Sequence, residues 1–496
     1  MKFLGVDLGT SSVKIIMVDE EGKLLSSVSK EYPVSYPKNG WSEQNPEDWW
    51  NGTKEGIREL MEKSKVSGEE VKGIGFSGQM HGLVILDKDN NVLRPAILWN
   101  DQRTQEECDY LNNEIGQEKI SKYTGNKALT GFTAPKVLWV RKHEKEIFDK
   151  IAHILLPKDY IRFKLTGEFA SEVSDASGTL FFDVENRQWS KEMMDILGIK
   201  EEQLPKMYES WEVTGKVTKE VAEYIGVSSE TVVVGGGGDQ AAGAIGTGTV
   251  DAGILSVALG TSGVVFASSD SYAVDDENTL HSFCHGNGKY HQMGVMLSAA
   301  SSLKWWVEEI NEDSKDFNKL LADAEKSTVG SNGVIFLPYL TGERTPYSDP
   351  NAKGVFFGLN ITTKREDMTR AVLEGVAFGL RDSLEILKSL NVPIEEVRVS
   401  GGGAQSPLWK QILADVFNVK VSMINSKEGP AYGAAILAIV GCGVYPTVDE
   451  ACKNLIKVTE TVHPIAENVA KYEKPYEVYR KLYPALKDSF KAINNI

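Results

Sequence analysis

Apolar and polar positions alternate in short runs at the start of the chain and again just past its midpoint, and both runs break at the same four residues. Gly5 to Val18 reads GVDLGTSSVKIIMV, and Leu255 to Ser268 reads LSVALGTSGVVFAS. Each pattern predicts a strand, a tight turn and a strand. Alternation around Lys23 to Val34 predicts a third strand, and Pro46 to Lys63 a helix. Strands follow at Val71 to Phe76 and Leu83 to Leu86, with helices at Thr104 to Ile115 and Ala134 to His143. Such mixing predicts an α/β sheet.

Glycines crowd positions 235 through 248, directly after an apolar strand at Thr231 to Val234. A domain boundary is placed there, giving units 1–247 and 248–496. The second unit restarts with its own hairpin, then a helix at Ser298 to Ile310 and a long one at Arg365 to Leu390. On the long helix Ala371, Val372, Gly375, Phe378 and Gly379 share one face. SFCHGNGKYHQMGV reads as two strands around Asn287-Gly288. The last thirty residues predict a surface helix carrying packing residues.

Leu8-Gly9-Thr10-Ser11 recurs as Leu259-Gly260-Thr261-Ser262, 251 positions later in a chain of 496. That spacing is too long for a solenoid and suits two similar domains around a cleft. A turn of glycine and small hydroxyl residues points backbone N–H groups at one anion, so two facing turns would grip a phosphate chain. Asp7 precedes the first turn where Ala258 precedes the second. Only the first has a carboxylate for a metal or its water.

Composition narrows the partners. With 54 Lys plus Arg against 70 Asp plus Glu, the formal charge of −16 opposes nonspecific binding to nucleic acid or anionic membrane. No leader or membrane-length apolar run is visible, which predicts a cytoplasmic protein. The four cysteines are too few and scattered for a disulfide framework. His281, Cys284, His285 and His291 have zinc-binding atoms, but alternation along the two strands scatters them over both faces.

Asp239 follows four glycines at the end of a buried-looking strand, where a carboxylate is exposed into a cleft. In phosphoryl transfer to an alcohol it would accept the hydroxyl proton. The plainer role is helix N-cap before Gln240, and the two are compatible. Gln79-Met80-His81-Gly82, just after a strand and a turn, offers donors and acceptors for a polyhydroxylated substrate. Trp49-Trp50 and Trp305-Trp306 could stack on a sugar but read first as helix packing, and Lys14, Lys136 and Arg344 could meet phosphate but read first as solvated surface charge.

Taken together, these segments resemble the FGGY carbohydrate kinases, within the superfamily of sugar kinases, actin and heat-shock chaperones, over essentially the whole chain. DLGTSSVK is similar to the family's first phosphate motif, ALGTSG to its second, SGGGAQS to its adenosine motif and GPAYGAAILA to its final connecting helix. Gly131 to His143 and Gly354 to Glu374 are similar to the two family signatures. The stretches GWSEQNPEDWW, SGQMHG, LWNDQRT and YLTGERTPYSDPNAKGVFFGL resemble the members that act on xylulose.

The resemblance implies two actin-like (ribonuclease H-like) domains flanking a deep catalytic cleft, and ATP-dependent phosphorylation of D-xylulose to D-xylulose 5-phosphate with Mg2+. It implies Asp239 as general base, with Met80, His81 and Gln240 on the sugar. Thr10, Ser11, Gly260 and Thr261 match the phosphate clamps, and Gly402, Gly403 and Gln405 the adenosine motif. Asp7, with Asp239, stands where Mg2+ is held through water, and a homodimer is implied. Other ketose or polyol kinases, of ribulokinase or glycerol kinase type, share these motifs. A nucleotide-dependent binding protein of the actin or chaperone class would share the hairpins but need no sugar loop.

Overall fold

The computed structural model describes residues 1–312 and 315–494. Two seven-stranded mixed sheets dominate it. In the first, the strands Lys2–Leu8, Ser12–Asp19 and Leu24–Glu31 form an antiparallel meander. Lys2–Leu8 then pairs in parallel with Val71–Gly78, which pairs in parallel with Val232–Val234. Val213–Lys216 closes that edge antiparallel.

The second sheet repeats the plan. Gly253–Leu259 and Gly263–Ser269 make the hairpin, Tyr290–Met296 continues the meander, and Ile394–Ser400 and Lys420–Ile424 add the parallel pair. Val458–Val462 closes it antiparallel, and His281–Cys284 extends the other edge. The meander-plus-parallel order occurring twice is the two-domain actin-like architecture. Among the described residues no helix is long and apolar enough to cross a membrane.

The anticipated elements form close to their expected bounds, with local differences. The helices begun at Gln105 and Ala300 end in π-helical turns, Tyr110–Gly116 and Trp306–Ile310. Arg365–Ser389 is buried nearly all round its middle, from Thr369 to Leu380, and so has no single apolar face there. It is a central core helix. The terminal helix Ala466–Ile493 lies on the surface and buries Tyr472, Tyr476, Tyr479, Leu482 and Phe490; the last two positions of the anticipated stretch lie outside the described residues.

One helix ties the halves together. Gly429–Gly441, from the second half of the sequence, packs on the first sheet and on the helix Asp239–Gly246. It can do so because Gly5 and Gly75, opposite each other on adjacent strands, leave a flat patch. A Cβ there would stand 2.0 Å from the Ala431 carbonyl oxygen or 1.9 Å from that of Ala434. On the helix itself Gly433 approaches the Ala242 carbonyl as closely, at 1.8 Å.

Candidate active site

The parallel strands of the first sheet end at a cavity of about 340 Å³. The first half lines it with Asp7, Thr10, Gln79, Met80, His81, Trp99, Asp239 and Gln240, and the second half with Ser262, Val264, Met293, Val295 and Arg344. Asp239 and the QMHG loop, far apart in sequence, thus share one wall.

Asp239 is fixed by the backbone before it. Gly236 has φ +79 and lies so close to Phe76 that a Cβ would meet its carbonyl oxygen at 2.3 Å, which only glycine satisfies. Gly237–Gly238 then pairs in parallel with Ser77–Gly78, and Gly238, not Asp239, is the N-cap of Asp239–Gly246. The Asp239 carboxylate accepts from the Gln240 N–H at 2.8 Å and otherwise faces the cavity. Burial, and then the charge of Asp7, push its pKa up to about 7. A carboxylate in that range is suited to taking a proton near neutrality.

A buried ionic cluster, unanticipated from the sequence, braces this loop. Lys158 Nζ contacts Glu172 at 2.9 Å and Asp175 at 2.8 Å, and Arg162 contacts Asp159 at 2.7 Å. Arg162 also donates to the Gly235 carbonyl at 2.6 Å, while Ser174 Oγ accepts from Gly238 N–H at 3.1 Å. The only sequence signal is Lys158, Asp159 and Arg162 close together on the helix Pro157–Thr166, where they read as an ordinary solvated face.

His81 sits at φ +70, an uncommon conformation for a residue with a side chain. Its carbonyl is held by Thr133 Oγ1 at 3.0 Å and Lys136 Nζ at 2.8 Å. Lys136 is therefore no surface charge: it is fully buried, also bonded to the Gly131 carbonyl at 2.8 Å, and burial lowers its pKa to about 7. Burial, then Lys136 and Arg344, lower the His81 pKa to about 3, so the ring is neutral. Nδ1 lies 2.7 Å from the Gly178 carbonyl oxygen, which only accepts, so Nδ1 carries the proton and Nε2 is an acceptor.

The first hairpin turn is backed by side-chain donors. Tyr32 Oη and Gln79 Nε2 bond the Gly9 carbonyl at 2.5 and 3.2 Å, and Gln44 Nε2 bonds that of Thr10 at 2.6 Å. Trp99 Nε1 donates to Thr10 Oγ1 at 3.0 Å. Asp7 beside it has its pKa raised by burial, against the pull of Ser77 and Lys14. Lys14 itself pairs with Glu428 at 2.5 Å.

A second cavity, about 570 Å³ and mostly apolar, opens beyond the second hairpin. Thr261, Gly402, Gly403 and Gln405 line it, with Ala300, Leu303, Phe317 and Leu321 opposite. Gly260 is next to Thr261 in the same turn, and Ser11 is exposed on the first turn; neither lines either of these two cavities. The tryptophan pairs are packing residues: Trp49 and Trp306 are buried, the latter donating to Thr369 Oγ1 at 2.8 Å. Arg344, read from the sequence as surface charge, lines the sugar-sized cavity instead. His281–Cys284 and Tyr290–Met296 are the two strands anticipated around Asn287-Gly288.

Comparison with known proteins decides the family. The FGGY carbohydrate kinase N-terminal domain model matches residues 2–246, and the C-terminal domain model residues 255–442. The chain belongs to the FGGY family of carbohydrate kinases. This FGGY kinase is 40% identical over 490 residues to a xylulose kinase of Bacillus subtilis, with 98% of each chain covered. It is 42% identical over 486 residues to one of Escherichia coli, covering 98% of this chain and 99% of that one. Its fold matches the ligand-bound xylulose kinase from Lactobacillus acidophilus with a TM-score of 0.95 at 28% identity, over 99% of each chain.

Proposed function

We propose that this kinase transfers the γ-phosphoryl group of ATP to D-xylulose, giving D-xylulose 5-phosphate and ADP, in pentose catabolism. The observation that carries the reading is Asp239: a carboxylate with a pKa near 7, facing the cavity that Met80, His81 and Gln240 line, beside a phosphate-type turn. The full-length likeness to xylulose kinases supports the choice of sugar.

The sugar occupies the smaller cavity, against Met80, His81 and Gln240. The nucleotide occupies the larger one, its base over Gly402, Gly403 and Gln405 and its phosphates between the turns at Thr10-Ser11 and Gly260-Thr261. Residues 1–247 thus supply the base, the QMHG loop and the first turn, and 248–496 the nucleotide cavity and the opposite wall of the sugar cavity. Asp239 orients the attacking hydroxyl and accepts its proton as the new P–O bond forms and the bond to the ADP oxygen breaks. Donors of the two turns stabilise the negative charge on the transferring oxygens. Closing the cleft excludes water, which would otherwise take the phosphoryl group.

Asp7 and Asp239 are the residues that would hold Mg2+ through water. They fit it: both line one cavity, and the charge of Asp7 disfavours that of Asp239, which a divalent cation relieves. When bound, the ion neutralises phosphate charge. We also assign a cytoplasmic homodimer to this reading.

The test is ADP release from ATP and Mg2+ with D-xylulose, beside D-ribulose, L-ribulose, glycerol and no sugar. Strong preference for D-xylulose with stoichiometric sugar phosphate is the expected result. Preference for another substrate moves the specificity, and no response to any sugar overturns the kinase reading in favour of nucleotide-dependent binding.

A further inference from the structure

Arg344 is the cationic side chain that the functional reading leaves without a task. It lines the same cavity as His81 and Asp239 but comes from the opposite half of the chain. Its backbone is tightly held. Glu343 accepts from the Arg344 N–H at 2.7 Å and from Leu297 N–H at 2.9 Å. Thr345 exchanges bonds with Val295, its N–H donating at 2.9 Å and its Oγ1 accepting at 3.0 Å. The segment is thereby locked to the end of the strand Tyr290–Met296.

The guanidinium is a different matter. Among the described residues no carboxylate lies within ion-pair distance of it and no side-chain hydrogen bond holds it, in contrast to the buried Arg162 and Arg103. Burial disfavours its charge, opposed only by Glu343, and its field reaches the rings of His81 and His281. Arg344 is partly buried in the cavity wall, and with no partner in the fold its guanidinium donors are left free for a ligand. Such a group, aimed into a ligand cavity, is satisfied when the ligand arrives.

We propose that Arg344 is a sugar-binding and specificity-determining residue, which with His81 Nε2 grips one hydroxyl of the ketose away from the transferred one. The chemistry matches in both directions. His81 Nε2 accepts the hydroxyl proton, and the Arg344 fork donates to the hydroxyl oxygen, so a hydroxyl and not a carbonyl satisfies both. Because His81 belongs to the first half and Arg344 to the second, a sugar bound this way bridges the cleft. Sugars lacking that hydroxyl leave two desolvated groups unpaired and are rejected.

The inference rests on the D-xylulose reading, and the two are tested apart. Parent enzyme, Arg344→Met and Arg344→Lys are assayed with D-xylulose and with its 1-, 3- and 4-deoxy analogues, each variant checked by thermal melting. Turnover of D-xylulose by the parent tests the proposed function alone. For Arg344 the expected result is a parent that loses roughly 10- to 100-fold in kcat/KM with one deoxy sugar, the range of a charged hydrogen bond. Arg344→Met then loses a similar factor with D-xylulose, mainly in KM, and uses that deoxy sugar within about threefold of D-xylulose. Arg344→Lys keeps the charge without the fork and falls between, and it carries the test if the Met variant folds poorly. Variants that lose activity equally with every sugar, or that discriminate the sugars as the parent does, overturn the inference.

Discussion

The two hairpins carry the same Leu-Gly-Thr-Ser turn on sheets of the same strand order, yet they are finished differently. In the first, four residues separate the paired Leu8 and Val13; in the second, three separate Leu259 and Gly263. Asp7 lies between Lys14 and Ser77 in register, whereas Ala258 lies between Val264 and Ser400. The carbonyls of the first turn are bonded by Tyr32, Gln44 and Gln79. Those of Gly260 and Thr261 instead accept the Ala300 and Ala299 N–H groups at 2.8 and 2.9 Å, and Ser301 Oγ at 2.8 Å. One scaffold, used twice, thus carries a carboxylate beside its turn in one half and an alanine in the other, and its turn carbonyls are held by side chains in the first and mainly by backbone N–H groups in the second.

The sheets diverge further back as well. Where the first has Gly5 opposite Gly75, the second has Ser256 opposite Arg398. The glycine pair receives the helix Gly429–Gly441, while Arg398 donates to the Thr247 and Gly248 carbonyls at 2.7 and 3.0 Å and so fixes the crossing between halves. The junction is thus a close helix contact on one sheet and a polar clamp on the other.

Substitutions at the junction and the turns would break this comparison. Gly433→Ala, which drives a Cβ into the Ala242 carbonyl, should lower stability by about 3 kcal/mol in denaturant unfolding. Gly402→Ala, with nothing within 4 Å, should change stability by less than ~0.5 kcal/mol. Equal effects would deny that the junction is the tightly packed region. At the turns, Asp7→Asn should reduce kcat/KM for MgATP by roughly 10- to 100-fold, the usual cost of losing a residue that supports a metal. Ala258→Asp should not restore it, since a second carboxylate would repel the phosphates; a gain of activity on that addition would contradict the asymmetry.

The pH profile sharpens the same point. If Asp239 is the base proposed above, it works as a carboxylate, and with its pKa raised to about 7 activity should be present above that value and lost below it. In a kcat/KM profile we expect a fall of about tenfold per pH unit on the acid side. Because Asp7 raises that pKa, Asp7→Asn should move the limb to lower pH; a limb that stays in place or rises would deny the coupling. A smaller loss than that at Gly433 belongs to the backing of the turns. Tyr32→Phe, losing one bond to Gly9, and Ser301→Ala, losing one to Thr261, should each cost about 1 kcal/mol of stability.

Much of this was legible in the sequence because it rests on local pattern. The duplicated hairpin, the strand before Gly235 and the glycines before Asp239 carry their own periodicity and turn chemistry. What stayed hidden depends on long-range burial. Lys136 and Arg344 look like ordinary surface charges until the fold places one beneath the His81 carbonyl and the other in the cavity wall. Lys158, Arg162, Glu172 and Asp175 have no shared motif, since side chains from separate elements neutralise one another only in the folded core. The face shared by Ala371, Val372, Gly375, Phe378 and Gly379 is buried as expected, but the opposite side of the helix middle is buried too, because elements from both ends of the second half surround it.

The most direct test of the account is a single-turnover measurement of phosphoryl transfer from γ-labelled ATP to saturating D-xylulose, with binding of both substrates measured separately, for the parent and Asp239→Asn. The parent should form labelled sugar phosphate equal to ADP, and the variant should bind both substrates within a few-fold of the parent but transfer roughly 10²- to 10⁴-fold more slowly, the span of general base catalysis. Transfer by Asp239→Asn within a few-fold of the parent rate would contradict the account.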